Sequence, residues 1–185
     1  MNHLATSKED ILAASRDLIK ENGWAAVSIR AVASRCSVSA GTIYNYYESK
    51  ADLLSDTIES IWHEIFFHPE DEQIFHDVET CISWIYERLA YGNRQFPGFF
   101  SLHSFGFMRD EKTSGKKRMM KTWGHILNGL CEVLENDPKV RADVFDQEFT
   151  EKKFADILFS LILVSMIRQD YDPSSVLMLV KKTLY

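Results

Sequence analysis

Hydrophobic residues recur at helical spacing along most of the chain, and beyond Pro69 no stretch alternates in the manner of a β-strand. The most informative pattern lies in residues 28–50, SIRAVASRCSVSAGTIYNYYESK. Ser28 is a good N-cap for a short helix, Cys36-Ser37-Val38 predicts a tight turn, and Ser39 caps a second short helix. The pattern therefore predicts two short helices joined by a turn within a small helical domain.

The second of these helices has two different faces. At about 100° per residue, Ile43 and Tyr47 share one face, which we expect to pack against the first helix. The opposite face and its flanks carry small, polar and aromatic residues: Gly41, Thr42, Tyr44, Asn45 and Tyr46. Such a surface suits a helix that lies in the DNA major groove, where side chains reach base edges and phosphates. The alternative is a solvent-exposed face on an ordinary helical bundle.

Two residues near this surface are unfavourable for a helix unless DNA is bound. Gly41 lies inside a helix, where glycine costs about 1 kcal/mol relative to alanine, and a close approach to a sugar-phosphate backbone would explain it. Lys50 follows the cap Ser49 and places a cation at the positive end of a helix dipole. A phosphate bound there would reverse that penalty and would also use the free N–H groups of the helix.

Caps, stops and apolar stripes predict an all-α protein of about nine helices. The first helix opens with the capping box Ser7-Lys8-Glu9-Asp10 and ends at Asn22-Gly23. The later helices are predicted from Ser49 to about His68, from Ile74 to near Gly92, from Phe96-Pro97-Gly98 to about Arg109, from Ser114 to Asn136, after the cap Thr150, and after Asp172-Pro173. We expect a three-helix helix-turn-helix domain in residues 1–48 and a helical bundle in residues 49–185.

The last two predicted helices are candidates for a dimer interface. The eighth is apolar on more than one face, so it must be buried on nearly all sides, and a chain of this size cannot cover both helices alone. A symmetric partner is the natural cover, and ordinary intrachain core is the alternative. The candidate interface residues are Phe154, Ile157, Leu158, Leu161, Ile162, Ser165, Val176, Leu177 and Val180.

The middle of the chain is rich in aromatic residues and predicts either a hydrophobic core or a pocket for a small molecule. Small-molecule sites are mostly apolar with a few orienting polar groups, and this composition fits that description. The candidate lining residues are Trp62, Phe66, Trp84, Phe99, Phe100, His103, Phe107, Met119 and Trp123. An aromatic stripe at helical spacing is, however, also the usual signature of core packing.

Composition and charge narrow the class of protein. The chain has 185 residues and a net charge of −6, whereas residues 1–50 contain six basic and five acidic side chains, leaving −7 for the remainder. The N-terminus, MNHLATSKED, lacks the apolar segment of a signal peptide, and no apolar run reaches the ~18 residues of a membrane span. Three widely spaced cysteines, Cys36, Cys81 and Cys131, indicate a reducing compartment. We therefore expect a cytoplasmic protein outside the membrane.

Motifs of enzymes and metal sites are missing from the sequence. It contains no nucleophile elbow, no phosphate-cradling glycine loop, no Cys-x-x-Cys and no His-Glu-x-x-His, and its six histidines have no tight metal-ligand spacing. The sequence thus predicts a protein that is not an enzyme and that needs no cofactor or metal.

The motifs from about Ile11 to Leu54 resemble the N-terminal DNA-binding domain of TetR-family transcriptional regulators. They are, in order, Asn22-Gly23-Trp24, Val27-Ser28-Ile29-Arg30, Val38-Ser39-Ala40-Gly41-Thr42-Ile43-Tyr44-Asn45-Tyr46-Tyr47 and Ser49-Lys50-Ala51-Asp52-Leu53-Leu54. Two residues depart from the family pattern. Ser37 stands where the family usually has glycine, which implies a strained or altered turn, and Glu48 lies beside the expected phosphate contact and should weaken non-specific affinity.

The resemblance implies a homodimer that binds a (pseudo)palindromic operator in double-stranded DNA, dimerises through its last two helices, and releases DNA when a small hydrophobic or aromatic effector binds. A repressor fits best, although activation remains open. The expected DNA contacts are Ser28, Arg30, Ser39, Ala40, Gly41, Thr42, Tyr44, Asn45, Tyr46 and Lys50. The alternative is a helical protein-interaction module whose helix-turn-helix domain does not read DNA.

Overall fold

The computed structural model describes residues 6–66, 75–100 and 114–185, and all regular structure within these ranges is helical. The predicted all-α fold is confirmed. The described elements are α1 (Lys8–Asn22), a turn of 3-10 helix (Trp24–Ala26), α2 (Ile29–Arg35), α3 (Ala40–Tyr44), α4 (Lys50–Phe66), α5 (Val78–Gln95), α6 (Ser114–Asn136), α7 (Glu151–Arg168) and α8 (Ser174–Leu184). The predicted helix ending at about Arg109 lies mostly outside the described residues, so α6 to α8 correspond to the predicted seventh to ninth helices.

The described residues group into two compact units. Unit 1 contains α1 to α4 together with Gln95–Pro97, and unit 2 contains the remaining described residues. This grouping follows contacts within the fold, so the functional boundary predicted after residue 48 stays a prediction.

The first helix of unit 1 has the ends that its sequence predicts. The Ser7 hydroxyl oxygen accepts a hydrogen bond from the backbone N–H of Asp10 at 3.0 Å, and the Asp10 carboxylate accepts from the backbone N–H of Ser7 at 2.8 Å. At the other end Gly23 has a φ of 77° and donates its N–H to the carbonyl of Ile19 at 2.9 Å. The capping box and the glycine stop are therefore confirmed.

The core of unit 1 holds α2 and α3 against α1 and α4. Full burial of an aliphatic or aromatic side chain contributes about 1.5–3 kcal/mol, and each helix supplies such residues. They include Ile11, Ile19, Val27, Val32, Ile43, Tyr47, Leu53, Ile61, Ile65 and Phe96. Two buried hydroxyls, those of Ser15 and Thr57, donate to the carbonyls of Ile11 and Leu53 one turn earlier, so neither is left unsatisfied.

In unit 2, α5 begins later and ends later than its sequence predicts. Asp77 caps it, because its Oδ1 accepts from the N–H of Thr80 at 2.8 Å. The predicted end near Gly92 is wrong, because Gly92 is buried inside the helix, which continues to Gln95. The helix stops just before Pro97, which has no N–H to donate to a further turn.

Asp137, which follows α6, joins three parts of unit 2. Its Oδ2 accepts hydrogen bonds from the N–H of Val78 at 2.9 Å and from the Tyr185 hydroxyl at 2.5 Å, and its Oδ1 accepts from the N–H of Lys139 at 2.9 Å. The carboxyl group is thus buried with its partners supplied. It fixes the start of α5 and the residue after α8 relative to the end of α6.

The last two helices begin close to where their caps predict. The Thr150 hydroxyl accepts from the N–H of Lys153 at 3.3 Å and opens α7, while Pro173 immediately precedes α8. On α7 the Ser165 hydroxyl lies 2.8 Å from the Tyr86 hydroxyl of α5, which ties the two helices together. Across the described ranges, no helix has the combined length and apolarity that crossing a bilayer requires.

Candidate nucleic-acid interface

The turn between α2 and α3 has the geometry of a Schellman motif with serine in the usual glycine position. Ser37 has a φ of 57°, in the left-handed region that favours glycine. The N–H of Val38 donates to the carbonyl of Ala33 at 2.9 Å, and the N–H of Ser37 donates to that of Ser34 at 3.1 Å. The replacement of the usual glycine by Ser37 therefore leaves the turn geometry intact. Its energetic cost is local backbone strain at the positive φ of Ser37.

We expect Ser37→Gly to raise the free energy of unfolding by about 0.5–1 kcal/mol, because glycine adopts a positive φ without steric penalty. Ser34→Gly, in the exposed interior of α2, is the matched control and should lower it by a similar amount. Urea denaturation of both variants measures the difference. Equal destabilisation by the two glycines would contradict the strain at Ser37.

Helix α3 presents one buried and one exposed face, as its sequence predicts. Ser39 caps it by accepting from the N–H of Thr42 at 3.2 Å. Ile43 is fully buried and Tyr47 is 3% exposed, so both belong to the core of unit 1. Gly41 lies on the exposed face. The core therefore fixes which side of α3 faces outward.

The C-terminal end of α3 is tighter than predicted. The α-helix stops at Tyr44, and the N–H groups of Asn45 and Tyr46 donate to the carbonyls three residues earlier, at 3.2 and 3.0 Å. Such i to i+3 bonds commonly close the last turn of a helix. The tightened turn still carries Tyr47 into the core, so the predicted pattern of faces is kept.

The exposed face of α3 includes two large side chains, those of Tyr44 and Asn45, that stay outside the core of unit 1. Tyr44 is 56% exposed, and its hydroxyl makes no hydrogen bond within the described residues. Asn45 is exposed, while Ala40 and Thr42 are half-buried. Among the described residues, a Cβ added to Gly41 would meet only the Ser39 hydroxyl oxygen at 3.6 Å, an ordinary contact, so none of them requires glycine there.

Of the six cations among residues 1–50, four form ion pairs and two form none with any residue that the structure describes. The pairs are Lys8–Asp56 at 2.6 Å, Arg16–Glu64 at 2.9 Å, Lys20–Glu64 at 2.7 Å and Arg35–Glu21 at 2.5 Å. The hydrogen bond from Arg35 lowers the pKa of the Glu21 carboxyl group. Arg30 and Lys50 are exposed and form no ion pair with any described residue. Both are among the residues predicted to contact phosphates.

Both unpaired cations lie at the start of a helix. Arg30 follows the cap Ser28, whose hydroxyl accepts from the N–H of Ala31 at 3.1 Å. Lys50 is the first residue of α4, after Ser49, whose hydroxyl oxygen accepts from the N–H of Asp52 at 3.2 Å. A helix start offers free N–H groups to an anion, and an adjacent cation adds to that attraction. The exposed Glu48 lies beside Lys50 and opposes it.

Tyr46 differs from Tyr44 in that its hydroxyl is already used within unit 1. It donates a short hydrogen bond to the main-chain carbonyl of Thr6, just before α1. Its side chain nevertheless remains 40% exposed. Sequence periodicity could not reveal this bond, because it joins residues forty positions apart.

The candidate dimer residues fall into two groups. Phe154, Leu158, Ile162, Val176 and Val180 are buried within unit 2, which fits intrachain core for these five. Ile157 is 45% exposed, and Leu161, Ser165 and Leu177 are half-buried. The outward side of α7 and α8 carries further apolar residues outside the candidate set: Val164, Ile167, Met178 and Leu179, all 37–58% exposed. The interface therefore stays a prediction, now centred on these outward residues and Ile157.

The candidate pocket residues are distributed over both units. Trp62 and Phe66 stack in unit 1 with ring centroids 5.5 Å apart. In unit 2 the described members each contact another ring: Trp84 with Phe75, Phe99 with Phe100, and Trp123 with Phe159. His103, Phe107 and the side chain of Met119 lie outside the described part of the chain. The pocket stays a prediction.

Among the described residues, no group of three or more acidic, His or Cys side chains could hold a metal ion.

Two short helices are joined by a left-handed turn, and the second helix is exposed on one face. This arrangement defines a helix-turn-helix domain of the DNA-binding type. Comparison with known proteins shows which family model this domain matches. Residues 11–57 match the family described as bacterial regulatory proteins, tetR family. The resemblance to TetR-family regulators is thus confirmed for the N-terminal domain.

The sequence match to a curated relative covers about a quarter of the chain. The HTH-type transcriptional regulator UidR of Escherichia coli strain K12 is 38% identical over 48 residues, which are 26% of this chain and 24% of UidR. The chain thus matches about a quarter of the length of that relative.

The likeness in fold extends over nearly the whole chain. The regulator FadR of Bacillus subtilis, solved in complex with stearoyl-CoA, superimposes with a TM-score of 0.67 at 18% identity, covering 97% of this chain and all of FadR. GusR of Salmonella enterica gives 0.60 at 18% identity, covering 95% of this chain and 94% of GusR. At this level of identity the likeness establishes the fold alone.

Proposed function

We propose that the chain is a cytoplasmic, homodimeric repressor of transcription that binds a (pseudo)palindromic operator and is released by a small hydrophobic or aromatic effector. It acts as a regulator and not as an enzyme. Each subunit inserts α3 into the major groove, so that Thr42, Tyr44 and Asn45 reach base edges and phosphates. Arg30 and Lys50 hold the DNA backbone on either side.

The observation that carries this proposal is the coincidence of exposed surface and free charge. The core leaves one face of α3 exposed, and the helices before and after it carry Arg30 and Lys50 in their first turns. These are the two cations among residues 1–50 without an acidic partner in the described structure. A solvent-exposed helix of a protein-interaction module has no need for this arrangement. With few cations per subunit, binding should depend modestly on salt.

The outward face of α7 and α8 supports the proposed homodimer. Ile157 and Val164 lie seven residues apart on one side of α7, each 45% exposed, and Met178 on α8 is 58% exposed. Large exposed apolar side chains in a row at helical spacing mark an interaction surface. A second copy presents the same row, so a two-fold interface covers both and places two reading helices on one operator.

The effector is proposed to bind among the aromatic residues of the predicted pocket. The fold neighbour FadR was solved with stearoyl-CoA, which supports a largely apolar effector for this chain as well. For the effector to release DNA, it must bind more tightly to the conformation of the dimer that cannot bind DNA than to the conformation that can.

Gly41→Ala tests the insertion of α3 into DNA, because it should increase the stability of the protein but decrease its affinity for DNA. Alanine should raise the free energy of unfolding by up to about 1 kcal/mol, since the new Cβ has room within the protein. The same methyl group would separate α3 from the DNA backbone, so we expect affinity for operator fragments selected from the source genome to fall roughly tenfold.

The matched control is Gly129→Ala in α6, where an added Cβ has no neighbour within 4 Å. It should stabilise the protein to a similar extent and leave DNA affinity unchanged. Fluorescence anisotropy with labelled fragments measures the affinities. If Gly41→Ala binds DNA as well as the unaltered chain, α3 does not approach the duplex, and the protein-interaction module becomes the better reading.

A further inference from the structure

The reading helix is tied to the beginning of α1 by a set of contacts that the proposed DNA contacts do not account for. The Tyr46 hydroxyl donates to the carbonyl of Thr6, a residue that is only 8% exposed although it precedes the first helix. Two residues further on, Lys8 pairs with Asp56 of α4 at 2.6 Å and lies over the Tyr47 ring at 5.6 Å. The start of α1 is thus attached to the chain just after α3 and to the second turn of α4.

Of these contacts, the bond from Tyr46 to Thr6 involves the residue that directly follows the exposed residues of α3. Tyr46 lies in the tightened turn that ends α3, one residue after Asn45 and one before the buried Tyr47. Helix α3 has only five residues, too few to hold its own orientation without support from its neighbours. A hydrogen bond at its last turn therefore restrains the angle at which its exposed face is presented.

We infer that Tyr46 is a positioning residue for DNA reading: its hydroxyl holds the chain at Thr6 against the end of α3 and so fixes the orientation of Thr42, Tyr44 and Asn45. The hydroxyl acts inside the protein and makes no direct contact with phosphate or base. This inference rests on the proposed DNA-binding function and adds to it a residue whose effect on affinity is indirect.

The test is a double-mutant cycle between Tyr46→Phe and removal of the acceptor. The acceptor is removed by shortening the chain. One shortened chain begins at Thr6 and the other at Ser7, and the initiator methionine is removed from both. The two differ only in Thr6, the residue whose carbonyl accepts the hydrogen bond from Tyr46. Tyr46→Phe is made in both and in the full chain, and Tyr44→Phe serves as the control. Affinity for a selected operator fragment is measured well below the unfolding temperature, where a loss of stability alone leaves binding unchanged.

We expect Tyr46→Phe to weaken operator binding roughly tenfold in the full chain and in the chain beginning at Thr6, and by less than twofold in the chain beginning at Ser7. Tyr44→Phe should have the same effect in both shortened chains, since its hydroxyl has no partner in the described structure. An equal loss on Tyr46→Phe in both shortened chains would show that the hydroxyl acts on DNA. An undiminished affinity of the full-length variant would also overturn the inference.

Amide hydrogen exchange gives a second measurement that uses the full chain only. With Tyr46→Phe, the N–H of Ile11, which donates to the Ser7 carbonyl in the first turn of α1, should exchange faster in the free protein. Unchanged exchange there would contradict the restraint even if a shortened chain failed to fold. If the unaltered chain binds no genomic fragment, the proposed function fails; if it binds and only the Tyr46 results disagree, this inference alone fails.

Discussion

Replacing Tyr44 and Lys50 together by alanine should lower operator affinity by on the order of 100-fold or more, because each loss occurs twice in a dimer and a base or phosphate contact contributes about 1–3 kcal/mol. Neither side chain packs within its own unit: Tyr44 is 56% exposed, and Lys50 is exposed without an ion pair among the described residues. The free energy of unfolding should therefore change by less than about 0.5 kcal/mol.

The salt dependence of binding separates the contribution of Lys50 to DNA affinity from that of Tyr44. Lys50→Ala should reduce the slope of log affinity against log salt by about 1 per subunit, whereas Tyr44→Ala should lower affinity with little change in slope. Lys152→Ala, which removes an exposed cation from α7, is the control and should leave both quantities unchanged. An intact dimer that binds the operator normally without Tyr44 and Lys50 would remove these residues from the interface.

Introducing a charge into the outward row of α7 should dissociate the dimer. Val164→Glu places a carboxylate among apolar side chains that a second copy is proposed to cover, and burying an unpaired charge costs several kcal/mol. The monomer would bind a single half-site, so operator affinity should fall by at least about 100-fold through loss of bivalent binding. Sedimentation equilibrium and operator titration measure the two effects.

Ala142→Glu is the control for this experiment, because it adds the same charge at an exposed position in the segment between α6 and α7. It should leave the dimer and its DNA affinity unchanged. The fold of the Val164→Glu subunit should also be unaffected, since the side chain is 45% exposed in the subunit. A dimer that persists with Val164→Glu would place the interface elsewhere.

The sequence predicted the local features of the fold well, because their determinants lie within a few residues of one another. The capping box at Ser7, the glycine stop at Gly23 and the division of α3 into a buried and an exposed face each follow from neighbouring side chains. The sequence predicts too early an end for α5, because glycine weakens a helix, but a buried glycine such as Gly92 can stay within one when packing favours it.

Features that depend on distant contacts could not be predicted from the sequence. Periodicity marked α7 as apolar on several sides, but only the fold separates Leu158, buried in its own subunit, from Val164, which faces outward. The pairing of Arg35 with Glu21 likewise arises from the packing of α1 on α2. The bond from Tyr46 to Thr6 belongs to the same class.

The most direct test of the central claim is methylation protection on an operator fragment selected from the source genome. Dimethyl sulfate modifies guanine N7 in the major groove, where α3 is proposed to lie. The chain should protect N7 in two clusters related by two-fold symmetry and separated by about one helical turn, ~10 base pairs, or somewhat more. Tight binding without N7 protection, or with a single protected cluster at saturation, would contradict the insertion of two reading helices by a dimer.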